Sequence, residues 1–339
     1  MKNLFKNLIY VLFIFLFLFS CDYKRESIGD FEKIVVFADS AFYDIIRTDL
    51  ERTFDQFVYT PQSERSFYLD LQPLEMLPTY MTRRNLLFAC RLDASDSVSS
   101  YVQRMLSPEV KEAVSNGKVF HIFQENLFAD EQMGIILAAP DEKAFLQKLA
   151  TYSEDIYKKL ESYYFERLER SMFIDAEQTA LENYLAKNFG WKIRVQYDYN
   201  LVIETEDENF VWLRRLEPDR SIFIFRFPEQ KLNTEKDWLI NLRDSLATVY
   251  YEKDSISVED TYLLRTRIAG FDAIKLVGIW QNHHLILGGP FRTYAFHDPE
   301  SNFVYIIDIS VTAPQKRKKP FLDQLEILAN SFQIIRAGS

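Results

Sequence analysis

The chain has 339 residues, 47% of them hydrophobic, and its 50 acidic side chains outnumber 40 Lys and Arg for a formal charge of −10 at pH 7. So acidic a balance supplies no basic field and argues against nucleic-acid binding. Two cysteines make no disulfide framework, and nine glycines against 19 Tyr and 29 Phe leave little room for phosphate-cradling loops, so stability has to come from thick side-chain packing.

Lys2 and Lys6 precede an apolar run over residues 8–19, which leads into Leu18-Phe19-Ser20-Cys21. Twelve residues make a helix of about 18 Å, short of the roughly 30 Å of a bilayer core. The segment 1–20 is therefore read as a signal peptide cleaved before Cys21, whose thiol is lipidated and becomes the new N-terminus. An uncleaved signal anchor is the alternative. The charged residues at 22–26 and Leu18 at the third position before the cysteine oppose it, while Phe19 is bulkier than the small residue usual there. Losing this segment, with its two lysines and no acids, leaves 38 basic against 50 acidic residues, a charge of −12. Several acyl chains on one cysteine would anchor stably where one would not. Residues 21–33 read as a polar tether of at most about 40 Å.

A first domain is expected over 34–172. An apolar strand at 34–38 leads to Asp39-Ser40, helix-capping residues, and to Phe42, Ile45, Ile46, Leu50 and Phe54 at helical spacing. Strands are expected at 66–71, 85–92, 119–123 and 133–138. A helical stripe runs through Val98, Val102 and Leu106, and Ser107-Pro108-Glu109 opens another turn that Gly117 closes. Cys90 sits in an apolar run with no base nearby and reads as a small buried hydrophobe. From Pro140 the longest pattern begins: Phe145, Leu149, Tyr152, Ile156, Leu160, Tyr163 and Leu168 predict a helix of about 30 residues, some 45 Å long. It lacks strict heptads, which favours packing within the protein over a partner-helix seam.

A second domain is expected over 173–336. A helix at 175–189 stops at Gly190; strands follow at 193–197, 201–205, 210–216 and 221–227. The last is apolar on both faces, which marks a central strand. The acidic run 204–209 reads as a solvated hairpin turn, without the spacing of a calcium loop. A helix carries Trp238, Leu239, Leu242 and Leu246; strands return at 262–268, 273–280, 292–296 and 303–309. The basic run 316–319 reads as a solvated loop before a closing helix over 320–335. The class is α+β: two side-by-side α/β sandwiches, mainly antiparallel, with helices packed on them and ferredoxin-like in spirit.

No catalytic set emerges. His121, His283, His284 and His297 show no metal-ligand spacing, and no nucleophile elbow or phosphate loop is present. No cofactor or metal is expected. One zone stands out as a candidate binding surface. Trp212 and Arg214 share a strand face with Phe210; Gly278-Ile279-Trp280 precedes Gly288-Gly289-Pro290-Phe291, where paired glycines specify a bulge or close backbone approach. Trp and Arg together favour interfaces, although a bend with core tryptophans is the plainer explanation.

At these residues the chain resembles an uncharacterised family of Bacteroidota cell-envelope lipoproteins, a domain of unknown function. The matching pieces are Phe210-Val211-Trp212-Leu213-Arg214, Arg243-Asp244, Gly278-Ile279-Trp280 and Gly288-Gly289-Pro290-Phe291. Ala313-Pro314-Gln315-Lys316-Arg317, the Leu325-Glu326 helix and Arg84-Asn85-Leu86 also fit. The resemblance implies a lipidated envelope location and a loosely kept residue at Phe19. It supplies no activity, but it adds Arg243 and Asp244 to the candidate surface.

The expectation is a lipoprotein held in the membrane through Cys21, outer membrane and periplasm-facing favoured. It would be a non-catalytic binding or accessory component that engages another envelope protein through its second half. Two alternatives stand: an envelope hydrolase acting on cell-wall or glycan material, which predicts a cleft gathering acids or His284 and His297, and a small-ligand-binding lipoprotein, which predicts an aromatic-lined cavity.

Overall fold

The computed structural model describes residues 24–174, 177–205, 209–250, 254–282 and 284–336; the expected signal peptide, Cys21 and His283 lie outside them. Two compact units emerge, one gathering 24–49 with Leu69–Ser153 and the other Leu50–Tyr68 with residues 154–336. In chain order come β1 (Lys33–Phe37), α1 (Ser40–Phe54), β2 (Phe57–Val58), β3 (Glu64–Arg65), β4 (Tyr68–Gln72), a short α2 (Leu77–Tyr80) and β5 (Asn85–Arg91). Next are α3 (Ser97–Met105), α4 (Pro108–Ser115), β6 (His121–Glu125), β7 (Met133–Ala139), α5 (Glu142–Met172), α6 (Thr179–Phe189), β8 (Trp191–Lys192) and β9 (Asn200–Thr205). The chain continues through β10 (Phe210–Arg215), β11 (Asp219–Pro228), α7 (Lys236–Tyr250), β12 (Ser255–Ile256), β13 (Tyr262–Ile268) and β14 (Phe271–Asn282). It closes with β15 (Leu287–Asp298), β16 (Phe303–Thr312), α8 (Lys319–Asn330) and β17 (Gln333–Ile334). The class is α+β, as expected.

The first unit is a five-stranded sheet in the order β4-β1-β5-β7-β6. Its central pairs, β1 with β5 and β5 with β7, run parallel, and β6 returns antiparallel to β7. The antiparallel expectation misses this centre. β5 and β7 are buried along nearly their whole length, which is the mark of a parallel strand covered on both faces. Local capping sets the helices. Asp39 accepts from the Phe42 N–H, Asp96 from the Ser99 N–H at 2.8 Å and Ser107 from the Val110 N–H. Phe37 stacks on Phe88 at 5.1 Å in the core. Cys90 is fully buried there, and burial pushes its thiol up to about 12. The expected tether is docked from Glu26 onward: the Ser27 N–H donates to the Asp130 carbonyl and the Ile28 N–H to the Thr82 carbonyl.

The second unit is an antiparallel sheet in the order β12-β14-β15-β16-β11-β10-β9, with β13 also paired to β14. β11 is central, and Ile222, Phe223 and Ile224 are buried as the doubly apolar sequence requires. α7 covers one face, setting Leu239, Ile240 and Leu246 among Phe210, Phe223, Leu276, Phe291 and Ile306. α8 packs across β16 and β11 on the other. Residues 193–197 form no strand beyond the short β8. Side chains take the place of ladder partners there: Ser331 Oγ accepts the Arg194 N–H, Glu182 accepts the Val195 N–H, and Gln178 Nε2 donates to the Gln196 and Tyr199 carbonyls. The closing helix ends at Asn330, where the chain turns so that Phe332 re-enters the core.

The basic run is not a solvated loop. Glu64 accepts the Lys318 and Lys319 N–H groups at 2.7 and 3.0 Å, and Arg317 lies over Tyr68 at 4.5 Å. Lys319 is buried against Asp323, with its ammonium 4.4 Å from the Tyr164 ring centroid. A carboxylate from the distant hairpin thus caps the helix that this run begins.

Candidate functional site

Trp212, Arg214 and Trp280 line one cavity of about 380 Å³, wholly within the second unit. Strand alternation places them: Phe210, Trp212 and Arg214 share the β10 face beneath α7, and Tyr250 at the end of α7 stacks on Phe210. Arg214 donates from Nε and Nη2 to both oxygens of Asp219, at 2.8 and 2.6 Å, and lies 5.6 Å from the Trp212 ring centroid. A bidentate pair of this kind holds a guanidinium in one plane. Trp280 is buried opposite, and its Nε1 has no acceptor among the described residues. Asn282 donates to Asp254 at 2.8 Å and accepts the His284 and Leu285 N–H groups, which shapes the β14–β15 turn. Leu285, Leu287 and Val202 form an exposed apolar rim.

The glycine pair explains how this wall is built. β15 pairs with β14 without a register shift from Leu287 to Phe296, so close approach, not a bulge, is what the glycines permit. A Cβ on Gly289 would lie 1.9 Å from the Val311 carbonyl oxygen, and one on Gly288 would lie 2.8 Å from the Trp280 carbonyl oxygen. Pro290 is buried opposite Ile279. Phe291 is fully buried.

Arg243 and Asp244 do not belong to an exposed surface with these residues. Arg243 is 2% exposed and pairs with the fully buried Asp308 through Nε at 2.8 Å, its guanidinium 4.1 Å from the Phe291 ring centroid. Thr293 also donates to Asp308. This is a core ion pair joining α7 to the sheet. Asp244 is half-buried beside β12, and burial raises its pKa against the pull of Arg243.

A larger chamber of about 620 Å³, also within the second unit, was not foreseen. It is walled by the C-terminal half of α5, by β13–β15 and by α8. Arg292 and Tyr294, two residues apart on β15, face α8, and Lys275 is the cross-strand neighbour of Tyr294. All three donate to Glu326, Lys275 at 2.7 Å. Lys319 pairs with Asp323, which also accepts the Tyr164 hydroxyl at 2.6 Å. Burial acts to raise the Glu326 pKa, but Lys275 and Arg292 outweigh it and hold the carboxyl down at about 2. Burial pulls Lys275 below its ordinary range and, with the Glu326 charge, pushes the Tyr294 hydroxyl up. One signal was available: Lys319, Asp323 and Glu326 fall four and three apart on an otherwise apolar helix, which puts them on one face.

Of the two gatherings the hydrolase alternative predicts, acids do line the larger chamber, but His284 and His297 do not meet. His284 lies in the turn before β15 and His297 near its far end, on the order of 40 Å apart at about 3.3 Å per residue. Among the described residues no group of three or more His, Cys, Asp or Glu could hold a metal ion, and no helix is long and apolar enough to cross a membrane.

The architecture defines a two-unit α+β protein with a tryptophan-walled pocket in its second unit. Residues 178–331 match the family described as a domain of unknown function (DUF4837), and residues 27–173 match a second domain of unknown function (DUF8532). No curated protein matches. Solved structures resemble less than half of the chain. A Bacteroides thetaiotaomicron protein is 10% identical with a TM-score of 0.28, covering 44% of this chain and 47% of that one. LpqN, described as involved in cell envelope biogenesis of Mycobacterium tuberculosis, is 11% identical with a TM-score of 0.29, covering 43% and 83%. The Saccharomyces cerevisiae Ran-binding protein Mog1p is 13% identical with a TM-score of 0.29, covering 43% and 90%. The chain spans about half the length of the Bacteroides structure, and likeness at this level carries no argument about activity.

Proposed function

We propose that this chain is a lipid-anchored protein of the cell envelope that acts by binding, taking another envelope component at the Trp212–Trp280 pocket. The pocket is the observation that carries the reading. Two indoles, a guanidinium locked to its own carboxylate and an exposed apolar rim supply contact area and orientation, with no group poised for chemistry. The address rests on the sequence: the short apolar run, the retained Cys21 and the charged residues after it. Four residues separate Cys21 from the docked Glu26, so a lipid there would hold the first unit within about 15 Å of its membrane. The outer membrane with the body facing the periplasm is the favoured setting.

Cross-linking mass spectrometry on intact cells tests this. One stoichiometric envelope partner should cross-link near residues 280–290, and Leu287→Glu, at the exposed rim, should abolish that link without unfolding the protein. A free monomer with no partner in solubilised membranes would refute the binding role. The cavity volume also suits a small ligand; native mass spectrometry showing a co-purified molecule lost in Leu287→Glu would select that reading. Labelled palmitate should enter the wild type and not Cys21→Ser.

A further inference from the structure

The larger chamber of the second unit plays no part in that reading, and its charges are sorted by wall. Lys275, Arg292 and Lys319 line the floor, with side chains 18, 13 and 6% exposed. Two carboxylates, Glu326 and Asp323, face them, which leaves the floor one positive charge in excess. The donor inventory points the same way. The Arg292 guanidinium carries five N–H groups and the Lys275 ammonium three, while Glu326 already accepts from both and from Tyr294. Holding excess charge away from water is costly, and a bound anion relieves that cost.

The α5 wall has the opposite sign. Glu161 accepts the Tyr157 hydroxyl at 2.8 Å and Glu166 the Ser162 hydroxyl at 3.2 Å, and neither contact brings a positive charge. Of the other ionised lining residues, Glu169 shares Arg194, outside the chamber, with Glu177, and Arg267 pairs with Asp272. An electrostatic gradient, positive on the β14, β15 and α8 side and negative along α5, therefore runs across a space of small-molecule size.

We infer that this chamber binds a small zwitterion, its anionic group on the floor against Lys275, Arg292 and Lys319 and its ammonium group at the α5 wall against Glu161 and Glu166. An ammonium with a carboxylate or phosphate a few bonds away occurs in short peptides and in phosphoethanolamine headgroups, and the test separates the two. The full-length protein in detergent is titrated calorimetrically with alanylalanine and with phosphoethanolamine. One of them should bind saturably at one site per chain. N-acetylation, which removes the ammonium charge, or amidation of the dipeptide's carboxylate should weaken binding about tenfold or more; for phosphoethanolamine, ethylamine and inorganic phosphate serve as the half-ligands.

Three variants locate the site. Ser162→Trp plugs the chamber from an exposed position on the α5 wall and should abolish binding with unchanged circular dichroism. Lys275→Met removes the floor's excess charge and should weaken binding, whereas Glu326→Gln increases it and should tighten binding. If the last two fail to fold, Ser162→Trp decides alone. The inference is overturned if neither probe saturates the wild type, if the half-ligands bind as well as the zwitterion, or if Ser162→Trp binds like the wild type.

Discussion

Gly289 and Arg243 were singled out for the same surface, yet the fold uses them in different ways. At Gly289 the missing Cβ lets two backbones pass, so Gly289→Ala forces the β15–β16 contact apart. It should cost about 1–3 kcal/mol, read as a lower midpoint in chemical denaturation. Arg243→Met leaves Asp308 buried and unpaired, and burial already pushes that carboxyl upward against the opposing pull of Arg243. The loss should reach roughly 3–5 kcal/mol, and adding Asp308→Leu should recover much of it, because removing both charges avoids the orphan. A double-mutant cycle in urea measures both. Cys90, with its thiol pushed up to about 12 by burial, should resist alkylation at pH 8 until denaturant is added, with peptide mass spectrometry reporting label at that position.

Elements whose signals are local were legible in the sequence. The α1 cap at Asp39, Pro108 opening α4, the 31-residue α5 and the central β11 all follow from spacing and propensity within a few residues. Elements that depend on distant partners were not. Residues 193–197 have an apolar alternation that reads as a strand, but Ser331 and Glu182 capture their N–H groups. The basic run before α8 reads as solvated until Glu64 is brought onto it. Glu64→Ala should therefore cost about 1 kcal/mol as the loss of a helix cap. Asp96→Ala should cost a similar amount. Thermal melts compare the two, and an unchanged melting temperature for Glu64→Ala would show that the long-range cap contributes nothing.

Acid stability is a property of the whole second unit, because Glu326 ties α8 to β14 and β15. Its carboxyl is lowered from 4.5 to about 2, burial opposing and Lys275 and Arg292 prevailing. A depressed carboxyl stabilises the fold above its unfolded pKa, and that stability is lost as the pH falls through the folded value. The window is thus between about pH 4.5 and 2, and the loss is on the order of 3 kcal/mol. Urea denaturation at stepped pH should show the decline in the wild type and a shallower one in Glu326→Gln; equal slopes would show that other carboxylates govern it.

Composition, period and punctuation by themselves determined the α+β class, most element positions and the buried state of Cys90, since each depends on side-chain alternation or helical spacing along a few residues. Only the tertiary structure decided that the first sheet has a parallel centre, that Arg243 lies in the core, and that Lys275, Arg292, Lys319, Asp323 and Glu326 meet around one chamber. Strand pairing and charge pairing join residues tens of positions apart, and neither leaves a periodic trace in the chain that makes them.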